Sequence, residues 1–232
     1  LNRKQAMRLE TLARAAKGSL FVLAGAVCIS FSPLFVRLDD VGPTTVAFYR
    51  LLWGGLALLA VALLRHDRIL PSRSLFLLMA LAAAFFTGDL TCWHQAIHYI
   101  GPGLATIVTN FQVFFLAVIG VLFLGERMGL RLALSIPLAF TGLVMLLEIS
   151  PGNMPDEVSK GLLLGLCTAA FYTGYILTLR RSQSLTDRLP AVSNMAVISL
   201  IGMVFAGAIA IVQGQSLAVP SLKSNLLLML YG

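Results

Sequence analysis

Seven long apolar stretches constrain this chain more than any other feature, because each is as long as one membrane crossing. A helix needs about 20 apolar residues to cross a hydrocarbon core of about 30 Å. An eighth apolar run opens at Leu226 and reaches the end of the sequence at Gly232. The predicted spans cover residues 19–36, 43–64, 75–97, 102–124, 130–147, 161–179 and 190–212.

The composition indicates the same class of protein. The chain is 58% hydrophobic and only 12% charged, whereas a soluble domain carries about 25% charged residues. One soluble core of 232 residues could not bury this much apolar surface. In lipid the difficulty disappears, provided that each backbone polar group is paired within its own helix. We therefore predict an all-α polytopic membrane protein.

The distribution of basic residues predicts its orientation. Most of the 17 Lys and Arg residues lie before the first span and in the second, fourth and sixth gaps. The other gaps carry few basic residues: the first contains Asp39 and Asp40, the third is uncharged, and the fifth contains three acidic residues and Lys160. By the positive-inside rule the N-terminus is cytoplasmic. The formal charge of +7 thus reflects topology, and we expect contact with the lipid bilayer and no nucleic-acid partner.

The chain also repeats itself in inverted orientation. Residues 18–37 align with residues 161–180, with Gly18 over Gly161. The second copy begins five spans after the first, and because five is odd it crosses the membrane the opposite way. Inverted repeats are typical of alternating-access transporters, whose substrate sites lie at the repeat interface.

Several segments carry a family pattern. Residues 42–50 read Gly-Pro-Thr-Thr-Val-Ala-Phe-Tyr-Arg, and residues 125–127 read Gly-Glu-Arg. Three further segments follow in the order that this pattern requires. They correspond to the start of a fourth helix (96–105), a fifth helix (137–147) and the sixth helix that restarts the repeat (161–181). Together they resemble the drug/metabolite transporter superfamily, in its EamA-type family. The sequence departs from many members midway along the fourth helix, where they have a proline and this chain reads Asn-Phe-Gln at 110–112.

This resemblance implies a ten-helix carrier of two inverted five-helix repeats that moves small metabolites, often outward. The chain would then comprise a cytoplasmic segment (1–18), a first repeat (19–147), an outward-facing linker (148–160) and a partial second repeat (161–232). It begins with Leu1 and stops after about seven and a half helices. We therefore expect a fragment at both ends.

Two charged residues lie inside predicted spans, Arg50 and Asp89, at similar depths on consecutive antiparallel helices. A charged side chain at mid-membrane costs at least about 2.5–3.5 kcal/mol on insertion scales. We hypothesise that the two face a water-filled cavity and pair there, with Asp89 also a candidate for proton coupling. The alternatives are that Arg50 snorkels to the outer interface and that Asp89 is a structural hydrogen-bond acceptor.

Other polar and aromatic residues fall at the same level. Helical spacing places Tyr49 and Trp53 on one face with Arg50, and Trp93 on one face with Asp89. On the fourth span, Thr106 and Asn110 lie in one stripe and Gln112 falls on the opposite side. The alternatives are an interfacial aromatic belt for Trp93 and helix association for Asn110. For His94 and His98 we expect interfacial or loop positions. The further candidates for substrate binding are Tyr49, Trp53, Trp93, Thr106, Asn110, Tyr172 and Tyr175.

These features favour a secondary transporter over other classes of protein. The sequence contains no hydrolase elbow, zinc-protease motif or phosphate-binding glycine loop, so we predict no enzyme, cofactor or metal. Opposite charges in the membrane favour export of an amino acid or a related zwitterion or anion by alternating access across a bacterial-type plasma membrane. A multidrug or cation exporter and a non-transport membrane protein remain alternatives, and both a monomer and a homodimer stay open.

Overall fold

The computed structural model describes residues 18–20, 22–33, 36, 41–123, 125, 129–147, 155–218 and 221–232. In these ranges the chain forms helices joined by short connections, which confirms the all-α prediction. The helices are α1 (Gly18–Ser30), α2 (Pro43–Leu64), α3 (Arg73–Thr109), α4 (Gln112–Phe123), α5 (Leu130–Leu147), α6 (Asp156–Gln183), α7 (Ala191–Val212) and α8 (Leu222–Tyr231).

Four helical stretches in the described ranges are long and apolar enough to cross a membrane: Pro43–Leu64, Arg73–Phe123, Asp156–Gln183 and Ala191–Val212. The second contains 51 residues, more than twice the length that one crossing needs. The segments Gly18–Ser30 and Ala133–Met145 are apolar but shorter. The chain is thus a multi-pass membrane protein.

The long stretch reverses direction inside α3. Gly101 leaves helical geometry with φ 76° and ψ 164°, a conformation that only glycine adopts at low cost. Pro102 then opens the returning helix, where its missing N–H costs nothing. Three contacts along α6 show the reversal: Phe85 beside Gly174, Ile100 beside Gly161, and Gln112 beside Thr173.

Helices α2 and α7 pack antiparallel at the centre of the described part. A Cβ on Gly207 would lie 3.2 Å from the ring of Phe48, and one on Gly55 would lie 3.0 Å from Leu200. These glycines therefore allow the two helix backbones to approach closely. Helix α3 packs on both α6 and α7, and α8 packs on α2.

One end of this helix pair is closed by hydrogen bonds from the segment after α7. Oε1 of Gln215 accepts from the backbone N–H groups of Thr44 (3.0 Å) and Thr45 (3.3 Å). It thereby satisfies two of the unpaired donors at the N-terminus of α2. The hydroxyl of Tyr49 donates to the carbonyl of Leu217 at 2.7 Å.

Several predicted boundaries differ from the structure. Helix α6 starts at Asp156, inside the predicted linker, because Asp156 and Glu157 favour a helix N-terminus. Helix α8 starts at Leu222 rather than 226, since the Ser221 hydroxyl accepts from the N–H of Ser224. The predicted fourth span is not one helix, because 110–111 separate α3 from α4.

Some predictions fall on residues outside the described ranges. They concern the basic N-terminal segment, the acidic pair Asp39 and Asp40, and the greater part of the Gly-Glu-Arg motif, namely Glu126 and Arg127. The greater part of the predicted linker 148–160 also lies there.

The contact between α6 and the helix after the turn predicts a steric requirement at Gly165. A Cβ there would lie 2.7 Å from Cγ1 of Val108. We expect Gly165→Val to destabilise the detergent-solubilised protein by about 1–3 kcal/mol, because overpacking forces the helices apart. Thermal unfolding followed by circular dichroism would measure the loss. The matched control is Gly142→Val, which meets no atom within 4 Å, and an equal effect of both variants would contradict the packing.

Candidate functional site

A cavity of about 380 Å³ lies between the helices, where the predicted site residues come together. Helices α1, α2, α6 and α7 form its walls together with α3 and the start of α4. The candidate residues that line it are Arg50, Asp89, Trp93, Thr106, Asn110, Tyr172 and Tyr175.

Two candidate residues do not line this cavity. Tyr49 uses its hydroxyl to bond the carbonyl of Leu217 at 2.7 Å. Trp53 packs on an apolar cluster that includes Val46 and Leu228. Its indole N–H is buried without a hydrogen-bond partner among the described residues. Helix α8 covers this side of α2, so that only Arg50 of the predicted polar face reaches the cavity.

The guanidinium of Arg50 is held by aromatic groups. Its Nη1 donates to the hydroxyl of Tyr231 at 2.8 Å. Its Cζ lies 4.8 Å from the ring centroid of Tyr231 and 6.0 Å from that of Trp93. Both distances lie within the range of a cation–π attraction, which strengthens when the cation is removed from water.

Asp89 is nearly buried, with 6% of its surface exposed, and it lines the same cavity. Its backbone carbonyl accepts from the hydroxyl of Thr168 at 3.5 Å. In the part of the chain that the structure describes, no ion pair within 4.0 Å joins Arg50 to Asp89. The direct pair expected from the sequence is therefore absent, because Tyr231 takes the guanidinium instead. The cavity presents a cation and a carboxyl group that are not bonded to each other.

The fourth crossing is interrupted beside the cavity. Asn110 and Phe111 lie in a turn between α3 and α4. The interruption changes the helical register, so Gln112 lines the same cavity as Thr106 and Asn110, and its predicted position on the opposite side was wrong. Oε1 of Gln112 is buried without a hydrogen-bond partner among the described residues. This atom is an acceptor whose hydrogen-bonding capacity is unused among the described residues.

Two of the polar residues here are already bonded to their own helix. The hydroxyl of Thr106 donates to the carbonyl of Pro102 at 2.8 Å, and the Asn110 side-chain amide donates to the carbonyl of Thr106 at 3.0 Å. Such bonds to a carbonyl one turn earlier are usual for short polar side chains in helices. Both residues therefore shape the wall in this conformation.

The opposite wall is aromatic. Phe86 and Tyr175 stack with ring centroids 4.7 Å apart and an interplanar angle of 19°. The ring centroids of Tyr172 and Tyr175 lie 5.8 Å apart. Ile29, the residue aligned with Tyr172 in the predicted repeat, lines the same cavity from α1. Phe86 was not among the candidates, although it lies one helical turn from Asp89.

Sequence reasoning also missed two buried residues that are hydrogen-bonded at the site, Tyr231 and its partner His94. His94 has no exposed surface, and its two ring nitrogens lie 3.0 Å from the Pro43 carbonyl and 2.9 Å from the Tyr231 hydroxyl. The expectation of interfacial or loop polarity did not include these buried hydrogen bonds. A usable signal was its spacing from Leu90 and Ile97, because residues three and four apart share a helix face and both are buried.

Comparison with known proteins identifies relatives of this chain. The model of the EamA-like transporter family matches residues 16–148. An uncharacterized inner membrane transporter of Escherichia coli K12, YhbE, is 23% identical over 171 residues, which cover 70% of this chain and 53% of that protein. An uncharacterized transporter of Haemophilus influenzae is 24% identical over 166 residues, covering 68% and 54%. The chain thus matches about half the length of these relatives.

The fold also has a counterpart among solved structures. One crystal structure superposes with a TM-score of 0.62 and 18% sequence identity, and the match covers 88% of this chain and 71% of that one. This likeness covers a larger share of the chain than residues 16–148, which the family model matches.

The cavity geometry predicts that water reaches Thr106. In a cysteine-free background, we expect Thr106→Cys to react with a small, charged thiol reagent, because the thiolate that attacks such a reagent forms where water reaches the side chain. The control is Val118→Cys on α4, which is 42% exposed on the helix surface and should be shielded by lipid. Mass spectrometry would measure labelling in nanodiscs. Equal rates for the two variants would contradict a hydrated cavity.

Proposed function

The chain belongs to the EamA-like transporter family, and from this premise we propose that it is the substrate-binding part of a secondary transporter for an amino acid or a related zwitterion or anion. The observation that carries the proposal is the cavity in which Arg50 and Asp89 face the same space without bonding to each other. A zwitterion fits both groups, its carboxylate at Arg50 and its ammonium at Asp89. Each charge in the low-dielectric cavity would gain a partner when the substrate binds.

The aromatic wall supports a substrate with an apolar part. Phe86, Tyr172 and Tyr175 form one side of the cavity, opposite the polar turn at Asn110. A small-molecule site typically combines apolar walls with a few polar groups that fix orientation. Gln112 adds a buried acceptor for a further donor of the substrate.

Alternating access is the proposed mechanism, and the helix packing supports it. In an inverted repeat, α2 corresponds to α7 and α3 corresponds to α8. The symmetry therefore predicts that α2 contacts α7, and that the contact between α3 and α7 has a counterpart between α8 and α2. All of these contacts occur. The hydroxyls of Ser72 and Ser221 also cap α3 and α8 in the same way, each accepting from the N–H three residues on. The cavity would then open in turn to each side as one repeat rocks against the other.

Orientation, direction and coupling complete the proposal. We propose that the protein lies in the plasma membrane, since its relative YhbE is an inner membrane transporter, with the N-terminus cytoplasmic and net transport outward. Asp89 is the candidate carrier of a coupled proton, since it is the buried carboxyl group of the cavity. The oligomeric state, monomer or homodimer, is open.

A multidrug or cation exporter is the second candidate. The stacked aromatic wall and Asp89 would suit an apolar cation. Arg50 argues against it, because a guanidinium in the same cavity repels a cationic substrate.

The proposal predicts saturable transport of a zwitterion by the complete gene product in proteoliposomes. Labelled leucine, glutamate and lysine, with ethidium for the drug-carrier alternative, would be tested with and without a pH gradient. We expect leucine to move and Asp89→Asn to reduce its transport at least tenfold, because the ammonium group loses its charged partner. Thr141→Ser, on exposed α5, is the control.

The outcomes separate the candidates. Transport of ethidium without leucine or glutamate would replace the zwitterion carrier with the cation exporter. Unchanged leucine transport by Asp89→Asn would remove this carboxyl group from the site.

The proposed orientation predicts opposite labelling of two loops. In a cysteine-free background, Lys160→Cys before the buried part of α6 should react with an impermeant maleimide in intact cells. Thr186→Cys, between α6 and α7, should react only after permeabilisation. Both residues are exposed, so accessibility within the protein does not differ between them. The reverse pattern would overturn the cytoplasmic N-terminus.

A further inference from the structure

We propose that His94 and Tyr231 are positioning residues, which hold the guanidinium of Arg50 at the cavity through a directed chain of hydrogen bonds ending on the Pro43 carbonyl. This inference rests on the proposed role of Arg50 in binding the anionic part of the substrate. It adds two residues that contribute to affinity without lining the cavity.

The chain consists of three bonds of normal length. Nη1 of Arg50 lies 2.8 Å from the Tyr231 hydroxyl oxygen. This oxygen lies 2.9 Å from Nε2 of His94, and Nδ1 of His94 lies 3.0 Å from the Pro43 carbonyl oxygen. His94 is fully buried and Tyr231 is 8% exposed, so water does not compete for the two bonds of His94.

Chemistry fixes the direction of each bond. The Pro43 carbonyl can only accept, so Nδ1 of His94 carries a proton. In the neutral imidazole, Nε2 is then an acceptor. The Tyr231 hydroxyl must donate to Nε2, and its oxygen is left to accept from Arg50. Every partner therefore has one compatible role, and Arg50 receives a well-defined acceptor.

The position of Arg50 shows why such a chain matters. Arg50 lines the candidate-site cavity of about 380 Å³ and also a second cavity of about 310 Å³ between α1 and α8. The guanidinium consequently has space on both sides. Tyr231, held by His94, removes this freedom and keeps one face of the guanidinium directed to the substrate. Pre-organisation of this kind raises affinity by removing the cost of ordering a long side chain on binding.

The chain also links three helices. Pro43 and Arg50 belong to α2, His94 to α3 and Tyr231 to α8. A movement of α8 relative to α2 would break the bond to Arg50 and release the guanidinium. The position of the charge in the cavity thus depends on how these helices pack.

The first test needs no substrate. In the complete gene product, reconstituted in nanodiscs with ¹⁵N-labelled His and Arg, the imidazole of His94 should carry its proton on Nδ1, and Nη signals of Arg50 should be resolved because the group is fixed. His94→Gln and Arg50→Gln would assign the signals. Tyr231→Phe should average the Nη signals of Arg50. A proton on Nε2, or Nη signals that Tyr231→Phe leaves unchanged, would overturn the proposal.

The second test measures leucine transport. We expect Tyr231→Phe to raise KM about tenfold, equivalent to about 1.4 kcal/mol, with little change in kcat. If Tyr231 acts through Arg50, this effect should disappear in the Arg50→Gln background, as a double-mutant cycle would reveal. Equal effects in both backgrounds would contradict a positioning role.

Matched variants separate positioning from stability. Tyr49→Phe removes another hydroxyl bonded to a distant segment, at 2.7 Å, and should leave the Arg50 signals and KM unchanged. His94→Gln retains an acceptor for Tyr231, so it should keep KM closer to wild type than His94→Leu. If both His94 variants behave alike, the chain is not the cause.

The proposal and the function on which it rests can fail separately. An unchanged KM in Arg50→Gln would remove Arg50 from substrate binding and with it the proposed role of the chain. A raised KM in Arg50→Gln together with wild-type KM in Tyr231→Phe would overturn the positioning role alone. The spectroscopic result stands in either case.

Discussion

Every backbone polar group that this chain carries into the membrane must find its partner inside the protein, and the architecture follows from this constraint. Hydrocarbon offers no hydrogen bonds, so the backbone is helical, and its interruptions occur only where other protein groups are near. The turn at Gly101 and the break at Asn110 are the two such places between Arg73 and Phe123. At the N-terminus of α2, Oε1 of Gln215 accepts from backbone N–H groups that have no partner within the helix.

The same constraint explains where a ligand can bind. Arg50 has its acceptor in Tyr231 and its aromatic neighbour in Trp93, whereas the carboxyl group of Asp89 has no ion-pair partner in the described ranges. Under the proposed function, the cavity between them is the place where a charged substrate would replace interactions with water. In this account affinity arises from groups that are held in position before binding, and the aromatic wall sets which substrates fit.

Much of the fold could be predicted from the sequence because it depends on local length and hydropathy. The bounds 43–64 and 130–147 agree with α2 and α5, and the turn at residues 101–103 was visible as Gly-Pro-Gly. Asp89 and Arg50 were predicted to face a cavity only because a charged side chain that contacts lipid has a high free-energy cost. The predictions that failed depend on tertiary packing. The break at Asn110 brings Gln112 to the cavity, and α8 covers Trp53. Tyr231 and His94 were missed because their role requires contacts between helices distant in sequence.

A ligand-bound structure of the complete gene product tests the central claim most directly. Cryo-electron microscopy in nanodiscs with saturating leucine should show density in the cavity, with the carboxylate within hydrogen-bond distance of Arg50 and the ammonium group beside Asp89. Density that lies elsewhere, or that approaches neither charged group, would contradict the account.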